Sequence, residues 1–295
     1  MKRTIGWAFA LLLQAGVVVV YGLPVANLSH AAAFPGGCEK AGPQPDTLPG
    51  AQSTTYSNTG KRDLRLHVFA PADNAEPRPA ILFFFGGGWR TGSINAFVQP
   101  AKAFTELGYV TVLADYRVQC RDGSSPLDSL DDAEAAYAWL RAHTEAYHID
   151  PKRLVLAGDS AGGHLALATG LRAPEAEKPA ALILFNPVVD LVAPAPRHLK
   201  ARASDISPSE MPTQGMPPAI VFHGDKDLTV PIQTVRDFCQ RAEASGAVCQ
   251  LQEYAGVGHG FFKSKPLYTE TQLRAVRFLD QQGISPNAYQ QRAGR

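Results

Sequence analysis

The sequence predicts an α/β domain: a mainly parallel sheet with helices on both faces and no large lid. Three observations carry that prediction. Strand-like and helix-like segments alternate from residue 64 to residue 282, the order a parallel sheet requires. Most of the strand-like runs are apolar throughout rather than alternating, as strands covered on both faces are. The 295 residues are 45% hydrophobic and 19% charged, enough apolar side chain for one large core.

Residues 34–60 are rich in Pro, Gly, Ser and Thr and read as an extended arm with room for an edge strand at its end. Residues 64–69 alternate with a period of two and predict a half-buried strand. Residues 80–85 are apolar throughout and predict a central strand. A helix is expected near 98–107, ending at Gly108 as a C-cap, before a strand at 109–114. Helical spacing over 127–147 puts Leu130, Ala133, Tyr137 and Leu140 on one face. Strands follow at 153–157 and 180–185, flanking a helix that begins after Ser160. A strand at 219–223, a helix at 232–245, a strand at 247–253 and a helix at 267–282 complete the alternation. Between Asp190 and Pro218, six prolines and no clear period predict loops around one short helix, too little chain for a separate lid. The folded domain is thus expected over 61–283, with a tail at 284–295.

The first 33 residues differ in character. Lys2 and Arg3 precede a nearly unbroken apolar run from residue 5 to residue 20, and Ala31-Ala32-Ala33 follows. Basic start, apolar centre and A-x-A end are the marks of a secretory signal peptide cleaved after Ala33. The alternative is a retained anchor, but the run is short for a span and Gln14 interrupts it. Cleavage would remove Lys2 and Arg3 and no carboxylate, taking the formal charge from +1 to −1. Either reading places the folded part outside the cytoplasm, secreted or periplasmic, with no stable membrane insertion once the leader is gone. Neither charge state carries the basic stripe that nucleic acid requires.

Four cysteines in an exported chain predict disulfides. Cys239, on the helix at 232–245, and Cys249, on the next strand, face each other across Ser245-Gly246. Their short loop is worth about 2–3 kcal/mol in the chain-entropy model. The alternative for Cys239 is a buried thiol on a helix face. That pairing leaves Cys38 with Cys120, stapling the arm to the loop after Asp115-Tyr116-Arg117.

The chemistry centres on the stretch from Leu154 to Gly163. An apolar strand breaks at Gly158-Asp159-Ser160-Ala161-Gly162 and resumes as a helix. That is the layout of a nucleophile elbow, in which the serine hydroxyl projects above a sheet edge. A Cβ at Gly158 or Gly162 would crowd the neighbouring strand and helix. In such elbows the partners follow in the order serine, acid, histidine. Of eight histidines only His259, in a glycine-rich loop after the last strand, follows the acidic candidates. Ten carboxylates lie between Ser160 and His259. Asp227 stands out because it follows the strand at 219–223 by one turn, while Asp225 and Asp190 remain rivals. The acid would accept the ring N–H and stabilise the imidazolium as the serine proton moves.

Phe85-Gly86-Gly87-Gly88-Trp89 ends a buried strand in bare backbone. With the amide of Ala161 it can hold a tetrahedral oxyanion. A dinucleotide-binding loop is the alternative, but Thr91 stands where a third spaced glycine is needed and Trp89-Arg90 would crowd a phosphate. Asp159, Asp115, Tyr116, Arg117, His164 and His223 read as scaffold, and Trp89 as an acyl-pocket wall or core residue. No His-Glu-x-x-His, clustered Cys/His or calcium loop occurs, so no metal or cofactor is implied.

Gly-Gly-Gly-Trp after a strand, Gly-Asp-Ser-Ala-Gly-Gly-His, Asn-Pro-Val-Val-Asp, His-Gly-Asp-Lys-Asp-Leu-Thr-Val-Pro and Gly-His-Gly-Phe-Phe occur in this order. Over residues 60–283 the chain resembles the small esterases of the α/β-hydrolase superfamily. It looks most like the secreted acetyl-xylan and feruloyl esterase branch, related to bacterial hormone-sensitive-lipase-like esterases. The resemblance implies the α/β-hydrolase fold, Ser160 as nucleophile, Asp227 as acid, His259 as base, and Gly86, Gly87 and Ala161 as oxyanion donors. It implies an acyl-enzyme mechanism on short-chain esters, including acetylated or feruloylated carbohydrate. A peptidase or dienelactone-type hydrolase, or a silent binding protein on the same fold, remains the alternative. At Phe85 the chain departs from many relatives, which carry a loop-supporting histidine there.

Overall fold

The structure, a computed structural model, describes Cys38 and residues 41–72, 76–193 and 200–286. The expected signal peptide, the start of the arm and the tail from residue 287 lie outside the described residues. None of the described helices is long and apolar enough to cross a membrane.

Eight strands form one sheet: β1 (Gln52–Asn58), β2 (Asp63–Phe69), β3 (Arg78–Phe84), β4 (Val110–Ala114), β5 (Ile149–Asp159), β6 (Ala181–Phe185), β7 (Ala219–Gly224) and β8 (Cys249–Tyr254). Their spatial order is β1-β2-β4-β3-β5-β6-β7-β8. The pairs β1–β2 and β2–β4 are antiparallel, and every pairing from β4 to β8 is parallel. The inner parallel strands are the apolar runs, with Ala80, Ile81, Leu82, Phe83 and Phe84 all buried, as is the whole of β6, while β8 at the edge is mostly polar and half-buried. Burying one such side chain contributes roughly 1.5–3 kcal/mol, so these segments define the core.

The helices are α1 (Val98–Glu106), α2 (Gln119–Asp122), α3 (Pro126–Ala142), α4 (Ala161–Arg172), α5 (Lys200–Ser204), α6 (Ile232–Ala244) and α7 (Leu267–Gln281). The chain steps one way across the sheet from β3 to β4, then the other way from β5 to β8. Right-handed crossovers therefore place α1 on one face and α3, α4 and α6 on the opposite face. The reversal leaves a crevice at the carboxyl ends of β3 and β5, where ligands bind in open α/β sheets.

Several boundaries differ from expectation. The arm is not among them, since it ends in the edge strand expected of it, β1, paired with β2 along its length. Strand β5 begins at Ile149 rather than 153, because Ile149 pairs with Arg78 and the chain bulges before Leu154. Pro151 lies in that exposed bulge, where a missing N–H costs no ladder bond. Helix α3 opens on a Ser125–Asp128 capping box and stops at Ala142, and residues 145–147 form a separate 3-10 turn. Both disulfides form: Cys239–Cys249 with Cα atoms 5.2 Å apart, and Cys38–Cys120 with Cα atoms 5.1 Å apart.

Candidate active site

Strand β5 delivers Ser160 at the start of α4 with φ 53°, a left-handed conformation that a non-glycine residue adopts only in a strained turn. The turn is held by main chain: the Ser160 N–H donates to the Phe185 carbonyl at 2.9 Å, and the Ser160 carbonyl accepts from His164 at 2.9 Å. A Cβ on Gly158 would stand 2.3 Å from the Gly162 carbonyl oxygen, and one on Gly162 would stand 2.1 Å from that of Phe84. Those glycines let β5, α4 and β3 close up around the serine.

The Ser160 Oγ lies 2.9 Å from Nε2 of His259, and His259 Nδ1 lies 2.7 Å from Oδ2 of Asp227. A carboxylate only accepts, so Nδ1 carries the proton and Nε2 is the lone pair that accepts the serine O–H. Ser160 is buried, the Asp227 side chain is fully buried, and the imidazole is about a quarter exposed at 26%. Burial alone would raise the Asp227 pKa. The hydrogen bonds from His259 and from the N–H groups of Val230 and Thr229 outweigh it and hold the carboxyl below its ordinary value.

The rival acids have other partners. Asp225 Oδ1 accepts the Gly256 N–H at 2.7 Å and so ties down the loop that carries His259. Asp190 Oδ1 caps its own turn through Val192 and Ala193.

The glycine loop corrects one expectation. The Gly86 N–H donates to Asp159 Oδ1 at 2.6 Å, so that amide is occupied and Gly86 is not an oxyanion donor. Among the described residues the N–H groups of Gly87, Gly88 and Ala161 donate to no protein acceptor. Gly87 has φ 137° and a Cβ there would meet the Thr91 carbonyl at 2.3 Å, so the tight turn requires glycine.

What replaces the absent histidine is also visible. The Phe85 ring stacks on Tyr116 with centroids 4.1 Å apart, and the Tyr116 hydroxyl donates to the Phe85 carbonyl. Arg121 Nη1 donates to the Gly92 carbonyl at 3.3 Å. Beneath them Arg62 pairs with Asp115 and Asp122, and Arg121 pairs with Asp115, as the scaffold reading of Asp115 anticipates. Arg117 grips Asp132 through two nitrogens.

His164 and His223 are buried and bonded to carbonyls, of Ile206 at 2.7 Å and Val230 at 2.9 Å. Burial depresses both, His164 to about 4. Trp89 is buried edge-on against His164. Asn186, absent from the sequence-derived site, accepts the Gly260 N–H at 3.2 Å from a left-handed backbone with φ 37°. Its only sequence signal is the Asn-Pro pair after an apolar strand.

The BD-FAE family model matches residues 66–186. The chain is 30% identical over 220 residues to Esterase LipC of Mycobacterium tuberculosis, covering 63% of this chain and 54% of that one. It is 33% identical over 172 residues to Esterase LipU of the same organism, covering 58% and 52%. The chain thus spans about half the length of these curated relatives. The thermophilic esterase Est2 of Thermogutta terrifontis superposes with a TM-score of 0.75 at 34% identity, covering 81% of this chain and 95% of that one. Matched along nearly the whole of that solved relative, and carrying a serine elbow on a mainly parallel eight-stranded sheet, the chain belongs to the α/β-hydrolase superfamily, among its esterases.

Proposed function

We propose that the protein is an exported serine carboxylic-ester hydrolase acting on short acyl groups through an acyl-enzyme. The observation that carries this reading is the unbroken relay from Ser160 through His259 to buried, ionised Asp227. Ser160 Oγ attacks the ester carbonyl as its proton passes to His259 Nε2. The tetrahedral oxyanion is held by the free amides of Gly87, Gly88 and Ala161, at the positive end of α4. Collapse expels the alcohol with the proton from His259, and a water deprotonated by the same nitrogen then releases the acid.

Short acyl groups are favoured by the modest stretch of chain between Asp190 and Pro218, too small for a lid domain. The related Est2 has been solved with propionate and with butyrate bound. Polar or carbohydrate alcohols, acetylated or feruloylated, are the substrate class proposed. Two disulfides and the leader-like first 33 residues support export.

A series of p-nitrophenyl esters tests this reading. The expected optimum is acetate to butyrate, and an optimum at long chains with interfacial activation overturns it. Fluorophosphonate should label the wild type and not Ser160→Ala, whose kcat should fall roughly 10⁶-fold. Folded wild type that takes no label would be a binding protein on this fold. Acetylated and feruloylated oligosaccharides assayed beside the aryl esters identify the alcohol.

A further inference from the structure

Asp159 lies beside the nucleophile, yet its carboxylate faces two other segments. Its Oδ1 accepts the Gly86 N–H at 2.6 Å, at the root of the glycine loop. Its Oδ2 lies 2.8 Å from Nζ of Lys263, in the 3-10 turn Phe261–Lys263 that follows His259. The carboxylate is 3% exposed and the lysine side chain 50% exposed. Lys263 therefore reaches inward from the surface to meet a charge that water does not reach. Nζ also lies 5.4 Å from the centre of the Phe262 ring, which stacks on Phe185 with centroids 4.4 Å apart. Phe185 supplies the carbonyl that holds the Ser160 N–H. A Cβ on Gly86 would stand 2.6 Å from Asp159 Oδ2, so the close approach depends on glycine.

From this arrangement, and resting on the esterase reading above, we infer that Lys263 and Asp159 are a pair of positioning residues that lock the histidine loop to the glycine loop. Neither touches the reacting atoms. Asp159 takes the root of the oxyanion loop on one oxygen and the far side of the histidine loop on the other. Lys263 supplies the countercharge without which a buried carboxylate would draw its neighbours or water toward itself. The pair sets the spacing between the group that moves the proton and the amides that receive the oxyanion. Acyl transfer is steep in that spacing, because misplacement by about 1 Å costs up to about 10²-fold.

The test uses the full chain and p-nitrophenyl acetate, with thermal midpoints measured alongside. Lys263→Met should lower kcat about tenfold with KM within about twofold, at temperatures well below its midpoint. Lys263→Arg, which keeps the charge, should retain most of the wild-type kcat. Adding Lys263→Met to Asp159→Asn should cause no further loss, since both changes break one clamp. A Lys263→Met enzyme with wild-type kcat overturns the inference, as does a double variant whose loss is the product of the single losses. Should Asp159→Asn not fold, the Met and Arg variants at position 263 decide alone. Wild type that neither hydrolyses the ester nor takes fluorophosphonate label defeats the esterase reading instead, so the two failures are distinguishable.

Discussion

The two loops that flank Ser160 are gripped through different groups of the peptide unit. In the glycine loop the outside supports hold carbonyl oxygens: Tyr116 on Phe85, Gln119 N–H on Trp89, Cys120 N–H on Arg90 and Arg121 on Gly92. Beyond Gly86, the N–H groups of Gly87 and Gly88 are left open. In the histidine loop two side chains hold N–H groups, Asp225 on Gly256 and Asn186 on Gly260, and one carbonyl, that of Val257, accepts the Lys226 N–H. The difference fits what each loop contributes in the proposed mechanism. A loop whose main chain binds the oxyanion must be anchored without using its donors. A loop whose side chain moves the proton is free to use them.

The comparison divides rate from stability, and Asp227→Asn should move rate most. It leaves the histidine loop in place but removes the acceptor that fixes the imidazole tautomer, and kcat should fall about 10⁴-fold with little change in thermal midpoint. A loss under tenfold would mean that His259 is oriented by something other than Asp227. Arg62→Met acts on the other side, leaving Asp115 and Asp122 short of a partner under the glycine loop. It should cost about 3 kcal/mol or more in urea unfolding, with a smaller loss of kcat per folded molecule than Asp227→Asn. An unchanged urea midpoint would show that the buried cluster is not what supports that loop.

Acid should weaken the scaffold before it alters the relay carboxylate. Burial holds His164 near 4 when folded, against about 6.5 in an unfolded chain. As pH falls below about 6.5 the unfolded chain binds the proton first, so stability drains away until about pH 4 and the loss is complete there. At pH 5 the cost is on the order of 2 kcal/mol. His67, also depressed to about 4 by burial and by Arg65, adds in the same direction. Urea midpoints between pH 7 and pH 5 measure this, and His164→Gln should flatten the slope. The smallest effect expected is that of Tyr116→Phe, which releases the Phe85 carbonyl and should lower kcat about fivefold, the equivalent of one hydrogen bond of about 1 kcal/mol. A larger loss in KM than in kcat would place Tyr116 on the substrate side instead.

Ser160 and His259 can be read from the chain because an elbow has a fixed pattern and the partners a fixed order. The sheet follows from apolar runs that have no period. Asp227 and Asp225 cannot be separated by spacing, since both follow β7 closely; a backbone amide at Gly256, 31 residues away, occupies Asp225. Gly86 is misassigned for a similar reason. The sequence shows three bare residues but not which N–H is already taken, and the carboxylate that takes it is 73 residues away. Lys263 escapes notice because its partner, Asp159, lies 104 residues away, a distance no local pattern encodes. The early start of β5 is hidden by Pro151, a residue that ordinarily argues against a strand.

The bond between Cys38 and Cys120 closes a circuit between residues 82 positions apart. Strands β1 to β4 and all three loop glycines lie inside that circuit, whereas Ser160, Asp227 and His259 lie beyond it. Losing that bond would therefore loosen the unfolded ensemble of the segment that carries the glycine loop, and would leave the chain linking Ser160, Asp227 and His259 as it was.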